Sequence, residues 1–349
     1  MDPLTLTYIS AALALVGLMA YAILGGADFG GGIWDLFATG PRKWDQRRAI
    51  AQAMGPVWEA NHVWLIFVVV VLFTCFPSGY ARLATALFIP FHLALVGIML
   101  RGGAFVFRGY DFGKASGKLI APQEASVPAG QRGVVQHGAA RPRIWGTVFG
   151  VSSLISPILL GAAFGAVTAG GLFDPDRPFP WLNSYAIACG LLALSTCAYL
   201  AAVYLVAETT GQLREDFRRR AIIAGTTTAA LAFLVLVLAY FQANWFFQRM
   251  FAAQALPIII VGLIFFAASA WAVFNRRYIL SRIFAAGEII LLLIGWGVAQ
   301  QPYLVYDANP ARAVKLTEVV GPAATIQFVL IALPFGALIL VPSLWLLFK

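Results

Sequence analysis

The sequence predicts an all-α, polytopic membrane protein with about nine transmembrane helices, arranged as two four-helix bundles plus one additional helix. Hydrophobic residues make up 61% of the 349-residue chain and charged residues only 11%, whereas soluble domains carry about 25% charged residues. Mean hydropathy is +0.83. Apolar stretches of about 20 residues, the length that crosses a bilayer as a helix, recur from one end of the chain to the other.

Nine apolar stretches define the predicted spans, and each is interpreted as a continuous helix. In chain order they lie near residues 5–24 (continuing toward 37), 56–76, 81–107, 144–169, 183–208, 221–241, 253–274, 283–301 and 323–348. The long segment between the third and fourth spans is rich in Gly, Ala, Gln and Pro, which favours a flexible polar connection on the inner side.

These spans divide the chain into four parts. Residues 1–143 hold the first three spans of one bundle, with the polar loop 109–143, and residues 144–182 hold the fourth span that completes it. Residues 183–301 hold the four spans of a second bundle, and residues 302–349 hold an outer loop and the final helix.

Positive charge predicts the orientation of the spans. If the N-terminus is outside, eighteen of the 24 lysines and arginines fall on inner segments and five on outer segments, with Arg101 inside the third span. Such an excess of inner cations follows the positive-inside rule. The net charge of +9 is therefore attributed to topology and lipid headgroups, and no nucleic-acid partner is expected.

Two polar stretches interrupt the apolar spans where hydrocarbon is expected. Gly25–Gly32 in the first span contains Asp28, and Pro56–Trp64 in the second contains Glu59. A carboxylate in the bilayer interior costs several kcal/mol on insertion scales and usually marks an ion, proton or ligand pathway that faces other protein. The sequence thus indicates a membrane protein with a function beyond anchoring.

Four ionisable residues are predicted to lie at one depth near the inner side: Asp28, Glu59, His62 and Arg101. Arg101 can pair with either carboxylate, because an opposite charge makes burial tolerable. One interpretation is an ion pair that only locks three helices together, and for Arg101 this is favoured since arginine does not give up its proton. For Glu59 the favoured interpretation is a carboxylate that takes protons from the cytoplasm.

A haem or a metal within this chain is not expected. His62 and His92 lie on adjacent spans at depths that differ by about 15 Å at 1.5 Å per residue, which argues against a haem held between both imidazoles. Cys75, Cys189 and Cys197 are too scattered for a metal motif. A third acid, Glu288, falls in the eighth span, six residues from Arg282, where it either reaches the headgroups or is buried.

Five motifs, in order and spread over essentially the whole chain, resemble subunit II of the cytochrome bd-type quinol oxidases, including the cyanide-insensitive branch. They are Gly26-Ala27-Asp28-Phe29-Gly30-Gly31-Gly32, Trp58-Glu59-Ala60-Asn61-His62-Val63-Trp64-Leu65, Leu100-Arg101-Gly102-Gly103-Ala104-Phe105-Val106-Phe107-Arg108, Ser156-Pro157-Ile158-Leu159-Leu160-Gly161-Ala162-Ala163-Phe164-Gly165, and Gly295-Trp296-Gly297 through Gln301-Pro302-Tyr303.

The resemblance implies a haem-free accessory subunit in a bacterial inner membrane. It would pair with a haem-bearing subunit I that oxidises ubiquinol or menaquinol and reduces dioxygen to water, would support the assembly of that subunit, and could be joined by a small single-span accessory subunit.

The resemblance also implies roles for particular residues. Glu59 matches the family's proton-path acid, and Asp28 matches the second of two acids in the first-span motif; Arg101 is expected to be their electrostatic partner. The neighbouring residues of the second span are expected to support this segment, with a quinone contact as a further option: Trp58, Asn61, His62 and Trp64.

The chain departs from the family pattern at the inner side. Gly25 stands where many members have Asp, and Val106 stands where an acid is usual. Glu59 replaces the shorter Asp. These changes leave the detailed proton route open.

Two other functions stay open on sequence alone. An independent transporter or ion channel could use the same carboxylates, although continuous spans without paired interruptions are not typical of transporters built from inverted repeats. A purely structural partner in another respiratory complex would keep the fold and lack the proton path.

Overall fold

The structure is a computed structural model that describes residues 2–115 and 144–347. Within these ranges the side chains of Pro56, Glu59, Val341, Leu344, Leu347 and residues 108–115 lie outside the description. Most of the predicted polar loop 109–143 therefore falls outside the described residues, apart from its first part, which continues a helix to Ala115.

The described residues are almost entirely helical. The helices are α1 (Pro3–Leu36), α2 (Lys43–Cys75), α3 (Pro77–Ala86), α4 (Phe88–Ala115), α5 (Ile144–Ala169), α6 (Ser184–Glu208), α7 (Gly211–Gln242), α8 (Asn244–Met250), α9 (Leu256–Phe274), α10 (Tyr278–Gln300) and α11 (Ala323–Leu347). Eight of them are long and apolar enough to cross a membrane, and the bent helix α2 makes a ninth. The prediction of an all-α protein with about nine spans is confirmed.

The expectation of a continuous second span is wrong, because α2 is bent by 49° between its halves Lys43–Gly55 and Ala60–Cys75. The bend coincides with Gly55-Pro56. Proline has no N–H for the helix and clashes with the carbonyl four residues earlier, so a bend here has a direct cause. Helix α2 also begins thirteen residues before the predicted span, at Lys43.

The predicted third span 81–107 is likewise interrupted. A break at Leu87 separates α3 from α4. Pro90 lies in the first turn of α4, and its ring disfavours a helical carbonyl at Ala86, which is the last residue of α3. The backbone N–H of Leu87 still donates to Leu83 at 2.9 Å, so the chain turns without losing that hydrogen bond.

Helix contacts follow chain order within two groups. In the first group α1 packs on α2 and α5, and α5 packs on α4; in the second, α6 packs on α7, and α10 packs on α9 and α6. Helix α6 joins the two groups, because it packs on α5 and also comes close to α1. Gly30 makes this close approach feasible, because a Cβ at this position would lie 1.9 Å from the carbonyl oxygen of Cys197.

The segment after α10 holds a small hairpin that the sequence analysis does not predict. Strands β1 (Tyr303–Val305) and β2 (Val314–Lys315) pair antiparallel, and 3₁₀ turns occur at Pro180–Leu182 and Leu316–Glu318. Helix α11 then touches α2 and α1 only lightly. Its apolar side chains are largely exposed, Phe335 to 67% and Leu338 to 71%, as expected for a helix that faces lipid or another subunit.

Candidate functional site

A buried ion pair between Asp28 of α1 and Arg101 of α4 lies at the centre of the first group of helices. The two side chains are 1% and 2% exposed. Arg101 donates to both carboxylate oxygens of Asp28, with Nη2 2.6 Å from Oδ1. The same Nη2 lies 2.7 Å from the backbone carbonyl oxygen of Asp28. This two-pronged pairing is the strong form of an arginine–carboxylate interaction.

Two further helices complete the surroundings of Arg101. Its Nε donates to the hydroxyl of Ser153 on α5 at 2.8 Å, and Ser153 in turn donates to the carbonyl of Phe149 at 2.7 Å. The rings of Phe149 and Phe29 lie 4.7 and 5.2 Å from the guanidinium carbon, within cation–π range. Arg101 is thus held by charge, hydrogen bonds and ring faces.

Ser153 is a site residue that sequence reasoning missed. The available signal is the pair of adjacent serines, Ser152-Ser153, within the predicted fourth span. Gly32 of α1 leaves the room that Ser153 needs, since a Cβ on Gly32 would lie 2.0 Å from the Ser153 hydroxyl oxygen. The glycine run of the first span therefore serves the ion pair as well as helix packing.

Asn61 links α2 to this pair. Its amide Nδ2 donates to Oδ2 of Asp28 at 2.6 Å, and the residue is 2% exposed. Asp28 therefore accepts hydrogen bonds from two helices besides its own. The helices α1, α2, α4 and α5 meet at a fully buried charge, which the predicted depth of Asp28 and Arg101 anticipates.

The segment Trp58–Trp64 of α2 carries buried polar atoms that have no hydrogen-bond partner among the described residues. They are Nε1 of Trp58, Oδ1 of Asn61 and Nε1 of Trp64. Buried polar atoms in native proteins are nearly always satisfied, often by ordered water. Three such atoms lie within two helical turns, so this stretch carries hydrogen-bonding capacity that no described group uses.

The remaining predicted residues of the segment are placed as follows. Trp58 stacks on Phe105 of α4, with ring centroids 5.2 Å apart, and meets His62 edge-on at 5.4 Å. His62 is half-buried. Glu59 has a helical backbone in α2, and its side chain lies outside the described part of the structure.

The two departures from the family pattern have different surroundings. Gly25 is buried, and a Cβ there would meet the ring of Tyr21 at 3.0 to 3.4 Å, so Tyr21 takes up space beside it. Val106 is exposed on α4. An acid at position 25 would extend the polar region around Asp28, and an acid at position 106 would add charge to the surface of α4. This chain has no acid at either position.

Glu288 of α10 is another buried acid, 6% exposed. Its burial excludes a side chain that reaches the headgroups. In the described part of the chain its carboxylate has no hydrogen bond and no ion pair. Tyr199 lies close by in the same group of helices, but its hydroxyl is paired with that of Ser269 at 2.7 Å.

No cluster of three or more His, Cys, Asp or Glu side chains that could hold a metal ion occurs within residues 2–115 and 144–347. His92 has Nδ1 2.7 Å from the carbonyl oxygen of Phe88 on its own helix. The three cysteines are free thiols, and Cys75 and Cys197 are buried.

Comparison with known proteins identifies relatives over nearly the whole chain. Residues 6–121 and 132–349 match the family described as cytochrome bd terminal oxidase subunit II. The chain is 29% identical over 272 residues to "Cytochrome bd ubiquinol oxidase subunit 2" of Bacillus subtilis, covering 76% of this chain and 71% of that protein.

A second Bacillus subtilis protein, "Putative cytochrome bd menaquinol oxidase subunit II", is 25% identical over 309 residues, with 82% of this chain and 80% of that protein covered. Among solved structures, a chain of the bd oxidase from Geobacillus thermodenitrificans superposes with a TM-score of 0.76 at 20% identity, covering 99% and 98% of the two chains. At that identity the structural match supports the fold alone.

Proposed function

The chain belongs to the cytochrome bd terminal oxidase subunit II family, and we propose that it is the haem-free accessory subunit of a bd-type quinol:oxygen oxidoreductase. It is a multi-pass protein of the bacterial inner membrane and a subunit of an oxidoreductase. In the proposal, the haems and the reduction of oxygen to water belong to a paired subunit I, and ubiquinol or menaquinol is the substrate of the complex.

The proposed role of this chain is to support assembly of subunit I and to deliver protons from the cytoplasm. With the N-terminus outside, as the charge distribution favours, the polar segment of α2 lies toward the cytoplasmic side. The observation that carries the proton role is the run of unpartnered buried polar atoms on Trp58, Asn61 and Trp64, which surrounds Glu59 in sequence. Water that satisfies them would connect Glu59 to the inner surface.

In this proposal Asp28 and Arg101 act as a fixed electrostatic partner of Glu59. Asp28 accepts hydrogen bonds from Arg101 and Asn61, and Arg101 also donates to Ser153. The pair is therefore suited to holding the middle of α2 in place through Asn61. Arginine keeps its proton at ordinary pH. Glu59 is the residue of the three that we assign to proton uptake.

A conservative substitution tests the assignment. We expect Glu59→Gln to lower quinol-dependent oxygen consumption at least about tenfold, equivalent to about 1.4 kcal/mol in the barrier, with haem content of the purified complex unchanged. Glu208→Gln is the matched control, because Glu208 is a 43% exposed carboxylate at the end of α6.

Full turnover in the Glu59→Gln complex, with normal haem content, would remove the proton role and leave a purely structural subunit. Loss of haem together with activity would instead assign Glu59 to assembly.

The alternative function is an independent transporter or channel. The bend in α2 is the feature that favours it, because interrupted helices often form transporter sites. Helix α7 follows α6 in the second group as α2 follows α1 in the first. It runs without a break from Gly211 to Gln242. The bend in α2 therefore has no counterpart in α7, whereas inverted repeats typically carry paired interruptions.

A further inference from the structure

A cavity between the two groups of helices is lined by more positive than negative charge. It has a volume of about 250 Å³ and lies where the turn Thr39–Pro41 and the start of α2 meet the start of α7. Three arginines line it, Arg42, Arg219 and Arg220, together with one acid, Asp216.

Asp216 is neutralised by Arg42. The two make a bidentate pair, with Nη2 to Oδ1 at 2.6 Å and Nε to Oδ2 at 2.8 Å, and the Nη1 of Arg42 donates to Gln212 at 2.9 Å. The hydrogen bond to Asp216 raises the pKa of the Arg42 guanidinium. This pair therefore contributes no net charge to the cavity.

Arg220 is held rigidly at the cavity wall. Its guanidinium carbon lies 5.3 Å from the ring centroids of both Trp34 and Phe217, and its Nη2 donates to Gln46 at 2.6 Å. Its Nη1 is buried and has no hydrogen-bond partner among the described residues. In the described part of the chain Arg220 donates only to neutral oxygens, those of Gln46 and Phe37, so no carboxylate in contact neutralises its charge.

Arg219 adds a second cation that is not paired with an acid among the described residues. It is exposed at the cavity and makes no hydrogen bond or ion pair with any other described residue. With Asp216 already neutralised, Arg219 and Arg220 leave the cavity with an excess of two positive charges. The guanidinium fork matches the oxygens of a phosphate group in geometry and charge.

We propose that this cavity binds a phosphate group. The volume is several times the roughly 30 Å³ that one water occupies, so a phosphate and part of its substituent fit. Two sources share this chemistry: the headgroup of an anionic phospholipid, which basic pockets between transmembrane helices at the cytoplasmic face take up, and a soluble phosphate. A bound phosphate would tie α2 of the first group to α7 of the second.

Binding measurements on the full chain, purified with the partners it retains and stripped of lipid, test the site. One arm adds dioleoylphosphatidylglycerol, with dioleoylphosphatidylcholine as the reference lipid, and counts bound lipid by native mass spectrometry. The other arm measures radiolabelled inorganic phosphate by equilibrium dialysis. We expect Arg219→Gln/Arg220→Gln to weaken binding of at least one anionic probe about tenfold.

Controls separate the site from general charge and from misfolding. Arg277→Gln removes an exposed cation that does not line the cavity and should leave both probes at wild-type affinity. Arg219→Gln alone changes only an exposed side chain, so it should keep the wild-type thermal midpoint and still lower the affinity.

The pattern of losses identifies the source of the phosphate. Loss of phosphatidylglycerol binding with little uptake of inorganic phosphate assigns a lipid headgroup, and loss of inorganic phosphate binding alone assigns a soluble ligand. Equal binding of both probes by the wild type, the double variant and Arg277→Gln overturns the proposal. These readouts do not depend on oxidase activity, so they are separate from the proposed function.

Discussion

Two buried carboxylates, Asp28 in the first group of helices and Glu288 in the second, are treated in opposite ways. Asp28 in the first group is 1% exposed and receives hydrogen bonds from Arg101 and Asn61. Glu288 in the second group is 6% exposed and has no such partner among the described residues. A buried charge is stable when paired, whereas an unpaired acid costs least to bury in its neutral form.

The difference indicates that Asp28 has a structural role and does not carry protons. Because Asp28 is locked by a guanidinium, it is suited to fixing helices and poorly suited to moving a proton. Its pairing also ties together α1, α2, α4 and α5, while the second group packs around Tyr199, Phe217 and other uncharged side chains. The first group should therefore depend on one electrostatic contact far more than the second does.

Removal of Arg101 should produce the largest effect. Arg101→Leu leaves Asp28 charged and buried without its partner, and breaking a buried pair in this way costs about 3–5 kcal/mol. We expect little detergent-stable protein and a strongly lowered thermal midpoint. Arg48→Leu is the control, because Arg48 is exposed on α2.

The double variant Arg101→Leu/Asp28→Asn sharpens this test. It removes both charges, and we expect it to recover much of the stability lost in Arg101→Leu, since neutral replacements of a buried pair are often tolerated. If Arg101→Leu alone is as stable as the wild type, the ion pair of Asp28 and Arg101 contributes little to stability. The first group of helices would then depend on buried charge no more than the second.

Replacing the Glu288 carboxyl by an amide should produce the smallest effect. Glu288→Gln keeps the shape of the side chain and is expected to change the free energy of unfolding by no more than about 1 kcal/mol. Asp28→Asn, the equivalent change in the first group, leaves Arg101 buried without an anion and should cost about 3 kcal/mol. Thermal midpoints of the two purified variants give the comparison, and equal losses would contradict it.

Hydropathy and charge predicted most of the fold from sequence. The spans, their number and the pairing of Arg101 with one of two acids follow from the length of apolar stretches and from the cost of burying charge. Asn61 belongs to the supporting segment predicted from sequence, and in the structure it donates a hydrogen bond to Asp28.

Details that depend on tertiary context were missed. The start of α2 at Lys43 was missed because its first turns are polar, which hydropathy does not score as helix. The break at Leu87 follows from Pro90, but its effect on an apolar stretch is not visible in hydropathy. Ser153 looks like an ordinary small residue until Gly32 allows it to approach Arg101.

Copurification with a haem-bearing subunit tests the central claim most directly. The tagged chain is extracted in mild detergent, its reduced-minus-oxidised spectrum is recorded, and the copurifying proteins are identified. If the chain is a subunit of a bd-type oxidase, haem bands arrive with one partner of similar size. A chain that purifies alone and without haem would contradict this assignment and would favour an independent transporter.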